Sequence, residues 1–582
     1  MKKLFSLLML ALALPSFAGD IYVSTNGNDS NSGTSDHPVQ TLRKALKIAR
    51  EWRRTNDSKT VNGITIHIAE GTYEQDETLY LRPEDSGEKG SPTVIKSDIP
   101  GKAVISGGMS LDSWSKDKDY YHSRMLIAGK PLLTRSLWID ARKSIRANAF
   151  GDGVMERMID FNKQDETITI PASSLLKYGI KSIGDAPQME MIVHQRWAIA
   201  ILRVKDIKFD GDKAILCFHN PESRWEFSHP WPQPVINEER GSSSFALVGA
   251  KQFMQDNEWW QDYSTGEIYI KGYNQQSNIV VPRLSNILLA EGTSTSPIHD
   301  IKFEGVTFSY SAWNRPMTQG HVTLQGGFPI IDAYKLTENE GLPWAPNLEN
   351  QAWVARPEAA VTVRWAENVD FVNCEFTHLA STGLDYEIGC HDITIKGNKF
   401  EDIGGNALLC GSFGEGALEA HRPYEVSPSN AYTENFEICD NTIHDATNED
   451  WGAVAIGCGY VRDFNIHHNT VSHVNYSGIC VGWGWTPRDS GMRNNRIENN
   501  NVSDFARQLY DAGGIYTLSA QPNSFIRNNT ITDLHDAPYA TNYRAFYIYF
   551  DAETDGFTVN GNVMPEVKLG YNNPGPNMVI EQ

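Results

Sequence analysis

The chain has 582 residues, with 51 Lys+Arg against 72 Asp+Glu and a net charge of −21. A composition of 40 % hydrophobic and 21 % charged residues can fill a large core, which excludes wholesale disorder. The acid excess excludes a nucleic-acid binder, because phosphate backbones select a Lys/Arg surplus.

The chain opens with Lys2 and Lys3, an apolar run from Leu4 to Leu14, Pro15, and the small-residue pattern Ser16-Phe17-Ala18 before Gly19. Residues 1–18 therefore read as a signal peptide, cleaved after Ala18 to give a secreted or periplasmic protein. No later run approaches the ~18 apolar residues of a membrane span. Thr41 to Arg53 reads as an amphipathic helix with Leu42, Ala45, Leu46 and Ala49 on one face, suited to cap a solenoid end. The Asn26 to Gly33 stretch is a surface turn rather than a Ca²⁺ loop, since it lacks a terminal Glu. Short strands follow at Ile64–Ala69, Thr93–Lys96 and Ala103–Ser106. Together, 19–110 forms a cap and the first coils.

From 111 to 289 the repeat is lost, and a hairpin turning at Ser264-Thr265-Gly266 signals an inserted β-rich domain. Its Trp225, Trp231, Trp259 and Trp260 suit a core, a domain interface or a sugar platform. From 290 to 582 an apolar–x–x–Asn–x–apolar pattern recurs at Asn398, Asn441, Asn469, Asn500, Asn529 and Asn562. The spacings are 43, 28, 31, 29 and 33 residues. Strand alternation inside solenoid-length repeats predicts an all-β, right-handed parallel β-helix of the pectin-lyase-like type. Asn fits the repeated turn because it tolerates the left-handed region and can bond the amide one coil away. A long segment, Ser309 to Arg356, is expected to pack over one face. The seven cysteines lack metal or redox spacing and read as small buried hydrophobes.

The chemistry-bearing residues cluster late. Trp483-Gly-Trp485 stands at a strand exit, where indole rings can stack on sugars. Tyr510-Asp511 precedes Gly-Gly-Ile-Tyr516, and Phe546-Tyr-Ile-Tyr549-Phe550 leads into Asp551. An Asp beside an aromatic strand loses hydration and gains the raised pKa of a general acid, and glycosidases need two such carboxyls.

The opening Ile21-Tyr-Val-Ser-Thr-Asn-Gly-Asn-Asp, the Thr-Leu-x-x-Ala helix and Ile105-Ser-Gly-Gly combine with further motifs. These are Glu258-Trp-Trp-Gln-Asp-Tyr-Ser-Thr-Gly-Glu, Tyr476-Ser-Gly-Ile, Gly-Trp-Gly-Trp and Asp511-x-Gly-Gly-Ile-Tyr. The set resembles glycoside hydrolase family 141, which includes α-L-fucosidase and xylanase activities. That resemblance implies Asp511 and Asp551 as the catalytic pair. The Ala-Glu-Thr-Asp that follows Asp551 departs from the family's usual continuation.

Geometry tests the pair. If Gly514-Ile-Tyr516 stacks on Tyr547-Ile-Tyr549, the two Asp Cα atoms lie over ~20 Å apart, too far to cooperate. If Tyr510-Asp511 stacks on Phe550-Asp551, they lie ~5 Å apart and suit a retaining double displacement. Asp450 with Asp511, two coils apart at ~9–10 Å, is the alternative pair and suits inversion. Substrate contacts are expected from Trp483, Trp485, Tyr476, Tyr516, Tyr549 and His421. His421 sits with Arg422, Glu415 and Glu419 in a loop after Phe413. Adjacent His467 and His468 should face opposite sides, so joint metal ligation is not expected. The leading reading is an exported, monomeric, retaining glycoside hydrolase acting on plant cell-wall or related saccharides, without cofactor or metal. The alternatives are a polysaccharide lyase, with Tyr543, Arg544 or His535 as base, or a non-catalytic carbohydrate binder.

Overall fold

The computed structural model describes residues 19–111, 113–229, 231–273, 277–335, 350–414 and 426–582. The signal read at 1–18, and the loop residues Glu415, Glu419, His421 and Arg422, lie outside them.

Short strands such as Ile64–Ile68 bury every second side chain, so one face points inward while the backbone must pair sideways. Among the described residues the pairing produces three long parallel sheets of twelve, ten and nine strands. The fold is a right-handed parallel β-helix. Inside it, equivalent positions of successive coils form aromatic columns. Phe303 lies on Phe371 (4.6 Å between centroids), Phe376 on Phe400 (4.7 Å) and Phe436 on Phe464 (4.5 Å).

The repeated asparagines form one continuous ladder. Asn398 N–H donates to Asn441 Oδ1 (2.9 Å), Asn441 to Asn469 (3.1 Å), Asn469 to Asn500 (3.0 Å) and Asn500 to Asn529 (2.9 Å). Each amide nitrogen closes the turn in its neighbouring coil, as Asn469 Nδ2 does on Ile438 C=O (2.9 Å). The left-handed backbone expected at these asparagines falls one residue earlier, at Asp440 (φ 57°), His468 (55°), Asn499 (55°) and Asn528 (56°). The ladder asparagine itself is needed inside, where its two polar ends satisfy buried backbone groups.

Helix α1 (Leu42–Arg54) buries Leu42, Ala45, Leu46 and Ala49 against the first coil, and the Thr41 side chain caps it. Asp29 accepts bonds from the Gln40 and Thr41 amides at 2.8 and 2.9 Å, which fixes its loop as a turn leading into α1.

The chain leaves the solenoid after Ser106, builds mostly antiparallel sheets between Gly108 and Pro282, and re-enters at Leu288. The coils on either side stack directly, with Ile95 opposite Phe303 and Ile105 opposite Phe308. Trp225 and Trp259 are buried in this inserted part. Its longest hairpin joins β1 (Glu190–Gln195) to β2 (Ala198–Asp210) through Arg196-Trp197, with Arg196 at φ 66°. The segment after Ser309 returns to the same hairpin, where Val322 pairs with Ala200. The seven cysteines are free, and five are buried.

Candidate active site

Strands β3 (Ala512–Thr517) and β4 (Ala545–Phe550) are neighbours in the ten-stranded sheet, with Ala512 opposite Ala545 and Tyr516 opposite Tyr549. Asp511 therefore comes just before β3 and Asp551 just after β4. The stacking of Tyr510-Asp511 on Phe550-Asp551, and with it the ~5 Å separation, is not formed. The inward residues decide the register, because Ile515 sits on Ile548 and both are fully buried. Gly513 allows the approach, since a Cβ there would lie 3.0 Å from Tyr549 Cβ.

The two carboxyls nevertheless line one cavity of about 180 Å³ over the outer face of the sheet. Tyr516 and Tyr549 stand up between them, edge to face at 5.2 Å. Tyr549 O–H donates to Asp511 Oδ1 (2.9 Å), and Tyr516 O–H donates to Asp551 Oδ2. Arg544 spans the first pair, with Nη2 donating to the Tyr549 hydroxyl (2.7 Å) and Nε 3.2 Å from Asp511 Oδ1. Asn572 Nδ2 donates to Asp551 Oδ1 (2.6 Å). Asp511 is itself in the left-handed region (φ 60°), with its carbonyl accepting from Tyr476 O–H (3.1 Å).

These surroundings differentiate the carboxyls. Burial pushes Asp511 up to about 6, with the Asp551 charge adding to the rise and Arg544 opposing it. Burial raises Asp551 as well, while its bonds from Tyr516 and Asn572 favour the ionised form. One group is thus poised to hold a proton near neutrality, and the other is surrounded by donors.

The remaining wall comes from distant parts of the sequence. The β1–β2 turn supplies Arg196 and Trp197, the inserted part adds Trp231, and the segment after Ser309 adds Gln325. Gln325 Nε2 donates to Tyr516 Oη (2.9 Å), and Trp197 Nε1 donates to Leu324 C=O (2.8 Å). Gln325, Arg196, Trp197 and Asn572 were not singled out by sequence. Gln325 was signalled only by the long irregular segment, and Arg196 and Trp197 only by the inserted domain, while Asn572 in the last coils carried no signal.

Of the expected contacts, Tyr476, Trp485, Tyr516 and Tyr549 line the cavity. Trp483 does not. It is buried against Phe328 (5.3 Å) and Phe413 (5.1 Å), and the glycine beside it makes room for the Tyr460 hydroxyl rather than for a ligand. His421 lies outside the described residues. Asp450 is absent from the cavity wall; it is buried and paired with His321 Nε2 at 2.8 Å, with Gly452 N–H on its other oxygen. Among the expected lyase bases, Arg544 reaches the cavity, His535 pairs with Asp504 (2.7 Å), and Tyr543 is exposed.

One group of possible metal ligands lies elsewhere, on the outer face of the twelve-stranded sheet. Glu437, Cys439 and His467 have ligand atoms within 4.8 Å of one another. His468 turns toward them, because its left-handed backbone brings its Nδ1 to 2.6 Å from that of His467, contrary to the strand alternation assumed for that pair.

Residues 124–272 match a family model described as "GH141 insertion domain", and residues 428–568 match "Right handed beta helix region". A solved structure described as "Glycoside hydrolase" superposes with a TM-score of 0.93 at 37 % identity, covering 97 % of this chain and 96 % of that one. The chain belongs to the β-helix glycoside hydrolases that carry the GH141 insertion domain. Among curated proteins, this glycoside hydrolase is 37 % identical over 91 residues to the uncharacterized protein YwoF of Bacillus subtilis (strain 168), covering 16 % of each chain. It is 33 % identical over 102 residues to pectate lyase PEL9 of Emericella nidulans, covering 18 % of this chain and 22 % of that one. The matched stretches thus span less than a quarter of either curated relative.

Proposed function

We propose that this protein, exported through the segment ending at Ala18, hydrolyses glycosidic bonds with Asp511 as general acid and Asp551 as the carboxylate that activates water. The observation that carries this reading is the pair itself. Two carboxyls line one small cavity, one raised to about 6 by burial and the other held by a hydroxyl and an amide. Acid–base cleavage of an acetal needs one carboxyl to hold its proton while the other is ionised, and the rise to about 6 moves Asp511 toward the proton-holding role.

Retention would require the carboxyls to lie ~5 Å apart. The one-coil stacking that would bring them that close is not formed, and a wider gap with a water between the carboxyls suits inversion, which is the reading adopted. The aromatic wall of Trp231, Trp197 and Trp485 suits a neutral sugar ring, and the family resemblance makes α-L-fucosides and xylans the first substrates to try. The test is aryl-glycoside and oligosaccharide hydrolysis by the wild type and by Asp511→Asn and Asp551→Asn. Each substitution should lower kcat/KM at least ~100-fold. A folded variant with near-wild-type turnover would overturn the assignment. Following the product anomer by NMR should show inversion, and retained configuration would overturn that part.

A further inference from the structure

A second cavity, about 280 Å³ and larger than the catalytic one, lies at the seam between the inserted domain and the solenoid turns. The β1–β2 hairpin borders both. Its tip, Arg196-Trp197, stands in the catalytic cavity, while Ile192 and Ile199 on its strands face the seam. The seam cavity has an apolar side formed by those isoleucines with Ala246 and Val248, and the half-buried indole of Trp451 contributes from the solenoid.

Around it stand polar groups of both signs, and one of them, Arg135, is not saturated by the described residues. Arg135 is 5 % exposed and gives one nitrogen to Glu190 (2.6 Å), yet its Nε and Nη1 have no hydrogen-bond partner among the described residues. Glu449 Oε2 lies 3.9 Å from Nη1, beyond hydrogen-bond distance. Lys143 bonds Asn448 (2.7 Å) and Glu449 (2.8 Å) from the opposite side. Asp152, an exposed residue, stands at the same wall. Buried donors without acceptors are costly, and a cavity beside them is where a ligand would supply the missing partners.

The alternation matters more than any single group. A site for a cation would show carboxylates alone, and one for an anion would show the arginines and lysine alone. Interleaved donors and acceptors around an apolar wall match a ring with hydroxyls at its edge and C–H groups on its face. We propose that the seam cavity is a second saccharide-binding site, taking a neutral sugar unit at a place separate from the carboxylate pair. The choice of saccharide rests on the hydrolase reading, whereas the existence of a second site does not. Such a site would hold a polymer on the enzyme between cleavage events and leave small substrates unaffected.

The test uses the full-length protein. Titration calorimetry of Asp511→Asn with xylohexaose, cellohexaose and mannohexaose, and with hexagalacturonate as the anionic control, should show a second site for a neutral hexasaccharide. Trp451→Ala should abolish that site. Asp152→Asn, a conservative change at an exposed position, should weaken it about 5-fold or more. In kinetics, both substitutions in the otherwise wild-type enzyme should raise KM for a neutral polysaccharide about 5-fold while kcat/KM for an aryl glycoside stays unchanged. A single binding site, preferential binding of the galacturonate, or equal losses on polymer and aryl glycoside would overturn the proposal. Absence of any hydrolysis would overturn the hydrolase reading alone, and a hexasaccharide site lost in Trp451→Ala would still support the seam.

Discussion

At the scale of single residues, Asp511 carries most of the proposed reaction's acid chemistry. Its carboxyl near 6 lies above the 3.8 expected for a free Asp, so between those values the folded chain holds the proton more tightly than the unfolded one. The stability this contributes is full below the unfolded value and is lost as pH rises through the folded one, a difference of about 3 kcal/mol. Asp511→Asn should therefore melt at or above the wild-type temperature at pH 8, with the advantage vanishing at pH 4. Its kcat should fall by ~10²- to 10⁴-fold. A melt at pH 8 well below wild type would contradict the assigned burial. If Asp511 donates the proton, kcat/KM should decline above pH ~6, and a profile flat to pH 8 would remove it from that role. That Asp511 and Asp551 would share a cavity was legible because each sits in an aromatic stretch. Gln325 and Asn572 were not, since one polar residue in an aperiodic segment carries no pattern and gains meaning only from what the fold brings opposite it.

At the scale of elements, the asparagine ladder turns a repeat in sequence into a repeat in space. Asn469 accepts from the Asn441 amide and donates to Ile438 C=O and Asn500 Oδ1. Asn469→Ala leaves these buried groups without partners, and each costs about 1–3 kcal/mol. Chemical denaturation should show a loss of that order, larger than for Ala at an exposed strand position such as Asn501. The coil architecture was readable from this period. Of the two registers open to β3 on β4, the one with Gly514-Ile-Tyr516 on Tyr547-Ile-Tyr549 forms, because Ile515 and Ile548 inside fix it, whereas the aromatic–Asp pairs on the outer face favoured the other. Trp483-Gly-Trp485 shows the same limit. Two indoles in one motif part company, one into the core and one to the cavity, according to which neighbours arrive from Phe328, Phe413 and Tyr460.

At the scale of the whole molecule, three separately built pieces close the cavity that holds Asp511 and Asp551: the late coils, the β1–β2 hairpin with Trp231, and the segment bearing Gln325. The inserted part also grips the loops that carry the key side chains. Arg196 C=O accepts from Tyr510 N–H (3.1 Å), and Glu238 accepts from Thr541 (2.7 Å). Trp231→Ala should raise KM about 10-fold, the effect of losing ~1.4 kcal/mol of ring stacking, with the far-ultraviolet circular dichroism unchanged. An unaltered KM would assign that indole to packing alone.

The direct stacking of coils across the insertion also constrains how the chain acquires its shape. Lys96 and Glu304 form an ion pair although 208 residues separate them, whereas Asn441 meets Asn469 after only 28. Closing the long loop costs more entropy before any contact rewards it. The first coils emerge earliest from the ribosome yet have no downstream neighbour until the insertion has been made. Zippering should therefore begin among the short-looped turns of the C-terminal half and run backward against the direction of synthesis, with the amino-terminal cap seated last.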